Sequence, residues 1–324
     1  MNSLNPKRVF SAVTGIRFAT TLRPLALSSL LGLPLVASAA ETGKVFATPE
    51  AAVSALISAT STKDNAALHA LFGPGGAEFE NPDRVQSTNE LSAFTAAYHE
   101  TNRLSRLSET QYVLEVGTDL WPFPVLIVKK EGRWFFDSEA GKDELLGRRI
   151  GQNELSTLEI MRAYVDAQRE YASQDHDGDE VLEYAQRISS SEGKTDGLYW
   201  SPEVNRLISP LGPWVAEAQS EGYFTAKPTK NAGPQPFHGY FFKILTRQGT
   251  HAPGGKYDYI VNGNMILGFA LVAWPAEYGA SGVMTFIVNQ QGRVYQKNLG
   301  KKTAAIVKSM GSYDPDATWE ISPD

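Results

Sequence analysis

The 324-residue sequence contains no cysteine. That excludes disulfide frameworks, thiolate zinc sites, iron–sulfur clusters and cysteine nucleophiles together. It leaves the compartment open, since exported proteins also do without disulfides. Histidine is scarce. The five are His69, His99, His176, His238 and His251, and none forms a pair of the H-E-x-x-H kind, which argues against a catalytic zinc site. Positive charge is in deficit: 30 Lys and Arg meet 36 Asp and Glu, a net charge of −6. An acidic chain lacks the basic footprint that a phosphate backbone requires, so nucleic acid is not an expected partner. The apolar run "LALSSLLGLPLV" at Leu25–Val36 falls short of the about 20 residues of a spanning helix.

That short run has another use. Lys7, Arg8, Arg17 and Arg23 precede it with no acidic residue among them, and "ASAAE" follows with small residues at Ala37 and Ala39. Positive, apolar, then small is the order of an export signal. The expectation is that residues 1–40 are removed and that the mature chain is periplasmic or secreted, with no transmembrane span; a retained anchor is the alternative. Without those residues, 26 Lys and Arg face 36 Asp and Glu, a net charge of −10. At 42% hydrophobic and 20% charged residues, the composition is that of ordinary globular protein.

Along the mature chain, helix signals come first. "ATPEAAVSAL" offers Thr48 as a cap, Pro49 in the first turn, and Val53, Leu56 and Ile57 on one face. "KDNAALHALFG" repeats the pattern, with Asp64 before Leu68, Leu71 and Phe72 and with Gly73 as a stop. "NELSAFTAAYHE" gives a third helix. "TQYVLEVG", "FPVLIVKKEG" and "GRWFFD" then read as strands. Helices followed by a curved antiparallel meander make an α+β domain over residues 41–140. This order resembles the cone-shaped fold of the nuclear-transport-factor-2-like superfamily.

The polar stretch Ser138–Glu154 reads as a boundary, and a second α+β domain is expected over residues 141–324. It opens with a long helix whose apolar stripe is Leu155, Leu158, Met161, Val165 and Tyr171. A Pro- and Gly-rich connection follows. Strand patterns then run through "HGYFFKILT", "MILGFALVAW" and "GVMTFIVNQQGRVYQKNLG", the last a hairpin turning at "NQQG". "KKTAAIVKSMGSYD" closes the pattern as a short helix.

Several of these segments carry a resemblance. "AYVDAQREYASQDHDGDEVLEYAQ", "GLYW", "SPLGP", "HGYFFKILTRQG", the run "APGGKYDYIVNGNMILGFALVAWPAEYGASGVMTFIVNQQGRVYQKNLG" and "DPDATW" closely resemble a bacterial family of exported proteins known as domain of unknown function 2950. The resemblance extends from about Phe46 to Trp319. It implies export and assigns no activity. The second half is also similar to the globular part of type IV pilins and pseudopilins, which set a long helix against an antiparallel sheet. Pro275, Tyr278, Gly279, Gly282, Gly292 and Val294 match the turn rhythm of those sheets. The chain departs from pilins where they carry a very apolar N-terminal helix, because Leu155–Tyr171 is amphipathic and lies mid-chain.

The chemistry candidates are few. In "QDHDGDEVLE" the residues Asp175, Asp177, Asp179 and Glu183 alternate around Gly178. Alternate acidic positions on a turning loop supply the hard oxygens that calcium takes. An EF-hand starting at Asp175 would need Gly at its sixth position and Glu at its twelfth, where Glu180 and Gln186 stand instead. A shorter calcium loop is one reading. The other makes Asp179 the cap of a helix starting near Glu180, with the carboxylates at its positive end. "GTHAPGGKYDY" fails as a phosphate loop, because Gly255 intervenes before Lys256 and Tyr257 replaces the required Ser or Thr. Ser281 in "YGASGV" lacks the frame of a nucleophile elbow. The aromatics Tyr240, Phe241, Phe242, Tyr257, Tyr259, Phe269, Trp274, Tyr278 and Phe286 either fill a core or leave half their number as a binding face.

The sequence therefore predicts an exported two-domain α+β protein of the cell envelope. The leading role is a binding or structural accessory module with a calcium loop, with an envelope protein or glycan as partner. Catalytic residues are unassigned. The alternatives are a hydrolase of peptidoglycan or polysaccharide and a pilin-like assembly or secretion subunit.

Overall fold

Side-chain caps set the first two helices. In the computed structural model, which describes residues 43–204, 208–224 and 234–323, the Thr48 hydroxyl accepts from Ala51 N at 3.2 Å and begins α1 (Pro49–Thr62). Asp64 Oδ1 accepts from Ala67 N at 2.9 Å and begins α2 (Asn65–Phe72), which Gly73 ends at φ 66°. Both caps are those expected from the sequence. The third helix, α3 (Arg84–Glu100), starts well before the segment that signalled it.

The chain divides into two compact units, Met1–Ala77 with Phe94–Gly141 and Glu78–Ala93 with Lys142–Asp324. In the first, five strands form one antiparallel sheet: β1 (Asn102–Ser108), β2 (Gln111–Val116), β3 (Trp121–Pro122), β4 (Ile127–Lys130) and β5 (Arg133–Phe136). Their order is β1-β2-β4-β5, with β3 also on β2. A bulge between Arg106 and Ser108 interrupts the β1–β2 register and adds local twist. Ala52, Val53, Leu56 and Ala59 of α1 are buried, as are Leu71 and Phe72 of α2 and Leu114, Val116, Ile127 and Phe136 of the sheet. Phe72 meets Phe136 edge-on at 5.3 Å between ring centroids. Each of the buried Val, Leu, Ile and Phe side chains contributes on the order of 1.5–3 kcal/mol by leaving water.

The helix α4 (Ser138–Tyr171) corrects one expectation. The polar stretch 138–154 does not precede the long helix; it is the first half of this 34-residue helix, and the division between the two compact units falls inside it, after Gly141. Asp137 Oδ1 accepts from Ala140 N at 3.2 Å and caps its start. Lys142, Glu144, Leu145, Leu146, Arg148 and Arg149 are strong helix formers, and Arg148 pairs with Glu144 one turn away. Polarity marked a surface here, and propensity decided the conformation.

In the second unit α5 (Gly212–Ser220) precedes β6 (Tyr240–Leu245), β7 (Arg247–Gln248), β8 (Tyr257–Asp258), β9 (Ile260–Val261), β10 (Asn264–Met265), β11 (Ala270–Pro275), β12 (Met284–Asn289) and β13 (Tyr295–Asn298). A short α6 (Thr303–Ser309) and β14 (Glu320–Ile321) complete it. The main sheet has the order β14-β13-β12-β11-β6, antiparallel throughout. β7–β8 and β9–β10 are separate two-stranded ladders. The "NQQG" turn closes with Gly292 N donating to Asn289 O at 2.8 Å, and Gly292 takes φ 78°, which glycine adopts without a Cβ penalty.

This sheet is covered on both faces, and its interior strand β11 shows it: Ala270, Leu271, Val272 and Ala273 are all at most 1% exposed. α4 covers the Tyr240 face. Glu154 Oε1 accepts from Val283 N and Met284 N at 2.9 Å each, and the Tyr164 hydroxyl donates to Ala270 O at 3.3 Å. Lys243, three residues from Tyr240 and so on the opposite face, donates from Nζ to the carbonyls of Val307, Lys308 and Met310 at the end of α6. A long helix on an antiparallel sheet, after a helix-plus-sheet unit, is the expected α+β class. The stripe of α4 differs in detail. Leu158, Met161, Val165 and Tyr171 are buried, but Leu155 is 54% exposed while Asn153, Thr157 and Gln168 are fully buried. Leu155 stands two residues from Asn153, about 200° around the helix, and so faces away. Among the described residues no helix is long and apolar enough to cross a membrane. The export-signal segment, residues 1–40, lies outside the described residues.

Candidate functional site

The acidic loop owes its position to Gln168. This buried side chain on the last turns of α4 bonds both backbone groups of Ala185: its Oε1 accepts from Ala185 N at 2.9 Å and its Nε2 donates to Ala185 O at 2.8 Å. Residues 172–184 must therefore leave the helix and return within reach of it. His176 anchors the departure, with its ring stacked on Tyr171 at 4.0 Å. His176 Nε2 lies 3.0 Å from Tyr171 O, a carbonyl that can only accept, so the proton sits on Nε2. The return is tied to the β9–β10 ladder. Asn264 Nδ2 donates to Asp179 Oδ2 at 2.8 Å, and Tyr184 N donates to Met265 O at 2.8 Å.

Within the loop the carboxylates accept backbone donors. Asp175 Oδ1 takes Gly178 N at 2.8 Å and Asp177 N at 3.2 Å, and its Oδ2 takes Glu180 N at 2.9 Å. These bonds, led by that from Gly178, hold the Asp175 carboxyl below the usual carboxylate range. Asp177 Oδ1 accepts from Asp179 N at 3.4 Å and Asp179 Oδ1 from Val181 N at 2.8 Å. Gly178 at φ 81° and Glu180 at φ 64° turn the chain sharply enough for this. One carboxylate oxygen from each of Asp175, Asp177 and Asp179 lies within 4.8 Å of the other two, and all three residues are exposed. Calcium binds oxygens at 2.3–2.6 Å, so oxygens across one ion stand up to about 5 Å apart.

Glu183 is not part of that convergence. Its Oε2 accepts from Met265 N at 3.0 Å, and burial pushes its carboxyl upward. The helix-cap reading of Asp179 is also corrected, because no helix begins near Glu180; residues 180–188 are irregular. Glu180 in the left-handed region is incompatible with a first helical turn, and the backbone donors that the three aspartates satisfy belong to the loop itself.

A second cluster in this unit was not anticipated from the sequence. Asp83 caps α3, with Oδ1 accepting from Val85 N at 3.1 Å and Gln86 N at 3.0 Å. Its Oδ2 accepts from the Tyr223 hydroxyl at 2.7 Å and from Gly239 N at 3.1 Å. Gln86 Nε2 donates to Asn153 Oδ1 at 2.6 Å, and Asn153 Nδ2 donates to Ser281 O at 2.8 Å. Burial raises the carboxyl of Glu90, against the pull of the neighbouring Arg149 guanidinium. Burial also lowers the His238 imidazole, whose Nε2 lies 3.3 Å from Glu221 Oε2. The satisfied bonds of Asp83 and Asn153 read as structural. The signal for them was polar residues at helical spacing on the apolar face of α4, Asn153, Thr157 and Gln168.

The family described as "Protein of unknown function (DUF2950)" matches residues 43–321. The chain belongs to this family. The match takes in both compact units and the acidic loop, and the family's description assigns no activity to any of them. No curated protein and no solved structure matches the chain.

His238 and His251 take different partners: His251 Nδ1 lies 3.1 Å from both Asp314 oxygens, and its backbone N donates to Oδ1 at 2.8 Å. None of the nine aromatics of the second unit's strand region is exposed; Tyr240, Tyr259, Phe269 and Phe286 are buried and the others half-buried. The buried four form part of the core, and Phe242, Tyr257 and Trp274 pack against it. In the "YGASGV" turn, Gly279 takes φ 82°, whereas Gly282 serves close approach: a Cβ there would stand 2.1 Å from the Tyr240 hydroxyl oxygen.

Proposed function

We propose that this chain is an exported accessory module of the cell envelope, non-enzymatic, whose loop at Asp175, Asp177 and Asp179 holds a calcium ion. The observation that carries the reading is the convergence of three carboxylate oxygens within 4.8 Å on an exposed loop. Three anionic oxygens at this separation repel one another in the absence of a cation, and backbone carbonyls and water complete a sphere of six to eight. Their hydrogen bonds go to loop backbone and to Asn264. That is a design for ordering a loop, and a proton-transfer role would need a carboxylate free to titrate against a substrate. The order of basic, apolar and small residues before Glu41 supports export, and an envelope protein or glycan is the partner expected of such a module.

Isothermal calorimetry of the full chain with calcium chloride, together with thermal melts in calcium and in chelator, tests this. The expected result is a dissociation constant of about 0.1–1 mM, as in extracellular modules, and a higher melting temperature in calcium. Asp177→Asn should weaken binding about tenfold. Absence of heat, with superimposable melts, overturns the reading.

A further inference from the structure

Charge is distributed unevenly along this chain. Between Glu277 and Asp314 stand Arg293, Lys297, Lys301, Lys302 and Lys308 and no acidic residue. The rest of the chain after residue 40 holds 21 Lys and Arg against 36 Asp and Glu. Three of the five cations gather on α6 and on the single 3₁₀ turn before it, Gly300–Lys302. Thr303 and Val307 are buried one turn apart and fix the side of α6 that meets the sheet. At about 100° per residue, Ala305 lies opposite that side, with Lys302 and Lys308 flanking it. Lys301, Lys302, Ala305 and Lys308 are exposed, and Ile306 is 39% exposed.

These three cations have no counter-charge beside them. Among the described residues, Lys301, Lys302 and Lys308 form no ion pair, and residues 205–207 and 225–233 hold no Asp or Glu. The acids that follow in sequence are engaged elsewhere: Asp314 holds His251, and Asp316 Oδ1 accepts from Thr318 N at 2.8 Å. The negative end of α6 is covered from the sheet side, where Lys243 Nζ donates to the carbonyls of Val307, Lys308 and Met310. The outward side of α6 is therefore a positive surface with an aliphatic residue at its margin, in a chain that is otherwise acidic.

We propose that the outward side of α6 docks on an anionic phospholipid surface, with Lys301, Lys302 and Lys308 over the phosphates and Ile306 entering the headgroup layer. Lysine carries its ammonium group on a long apolar stem and settles at such an interface. Each lysine near an anionic leaflet raises partitioning about fivefold, and three together about a hundredfold. At 0.1 M salt the screening length is about 10 Å, so only carboxylates within that distance oppose the attraction. A soluble polyanion suits the lysines but gives Ile306 no apolar phase to enter, and neither α6 nor the turn before it presents an aromatic ring or side-chain amide to a sugar. The docking adds a partner to the envelope role proposed above and needs no calcium.

The test uses the full chain and vesicles of phosphatidylcholine with and without phosphatidylglycerol, read by co-sedimentation and by acetylation of lysines. Vesicles with phosphatidylglycerol should protect Lys301, Lys302 and Lys308 from acetylation, in calcium and in chelator alike, and pure phosphatidylcholine should not. Replacing these three lysines with glutamine should weaken partitioning at least tenfold. Replacing the exposed Lys129, Lys130 and Lys194 changes net charge equally and should alter it less than about twofold. Residues 1–40 are basic and apolar as well; they add the same background to every variant, and the acetylation pattern locates the contact. Ile306→Ser should weaken vesicle binding about threefold and leave binding to soluble polyglutamate unchanged. Lysines 301, 302 and 308 that acetylate equally with and without phosphatidylglycerol, or two triple variants that partition alike, overturn the proposal. Equal protection by polyglutamate, with no effect of Ile306→Ser on vesicles, assigns the face to an acidic polymer and overturns it too. Protection that vanishes in chelator makes the contact a property of the calcium loop and does the same.

Discussion

Replacing Gln168 with alanine tests how the acidic loop is held. Gln168 and Ala185 are 0% and 1% exposed. The side-chain amide bonds both backbone groups of Ala185, and it also donates to the Tyr164 hydroxyl at 3.0 Å. Each such bond contributes about 1 kcal/mol net, but leaving a buried partner unsatisfied costs about 1–3 kcal/mol. With the Ala185 N–H and C=O both orphaned, Gln168→Ala should cost about 3–5 kcal/mol. At about 2–4 °C per kcal/mol for a unit of this size, the melting temperature should fall by roughly 6–20 °C. Urea titration of wild type and variant measures the free-energy change. Hydrogen exchange localises it: the Ala185 amide should exchange faster, while the Met284 amide, held by Glu154, should change far less. A loss below about 1 kcal/mol, or an Ala185 amide as protected as in wild type, would refute the idea that this one side chain returns the loop to the helix.

Two further outcomes follow from the same structure. Lys243→Met removes three charge-assisted bonds from the end of α6 and should cost about 2 kcal/mol in urea denaturation, with the α6 amides exchanging fastest; an unchanged midpoint would remove Lys243 as the cap. The Asp175 carboxyl lies below its ordinary value of 3.8 because of its backbone donors. A depressed carboxylate contributes order that is present above the unfolded value and is lost as pH falls through the folded one. The Gly178 amide should therefore titrate in NMR with a midpoint below 3.8, and a midpoint at or above that value would contradict the geometry.

The helices of the first unit were legible because caps are local. Thr48 and Asp64 bond donors three residues away, so a short window of sequence contains the whole cause. The hairpin at "NQQG" was legible for the same reason. The acidic loop was visible as alternate aspartates, but its two readings were not separable. What separated them was the left-handed backbone at Glu180 and the attachment of Asp179 to Asn264, 85 residues along the chain. Glu183 looked equivalent to the aspartates, yet Met265 N claims its oxygen. The polar half of α4 misled because hydrophobic periodicity fades where a helix packs through polar side chains such as Asn153.

Sequence alone determined the α+β order of elements, the capped helices, the deficit of basic charge and the family, since each depends on residues near one another in the chain or on composition. Tertiary structure decided which carboxylates converge and which face of α4 is buried. Those properties rest on contacts across tens to more than a hundred residues, and the closure of such contacts is set by packing and hydrogen-bond satisfaction rather than by local propensity.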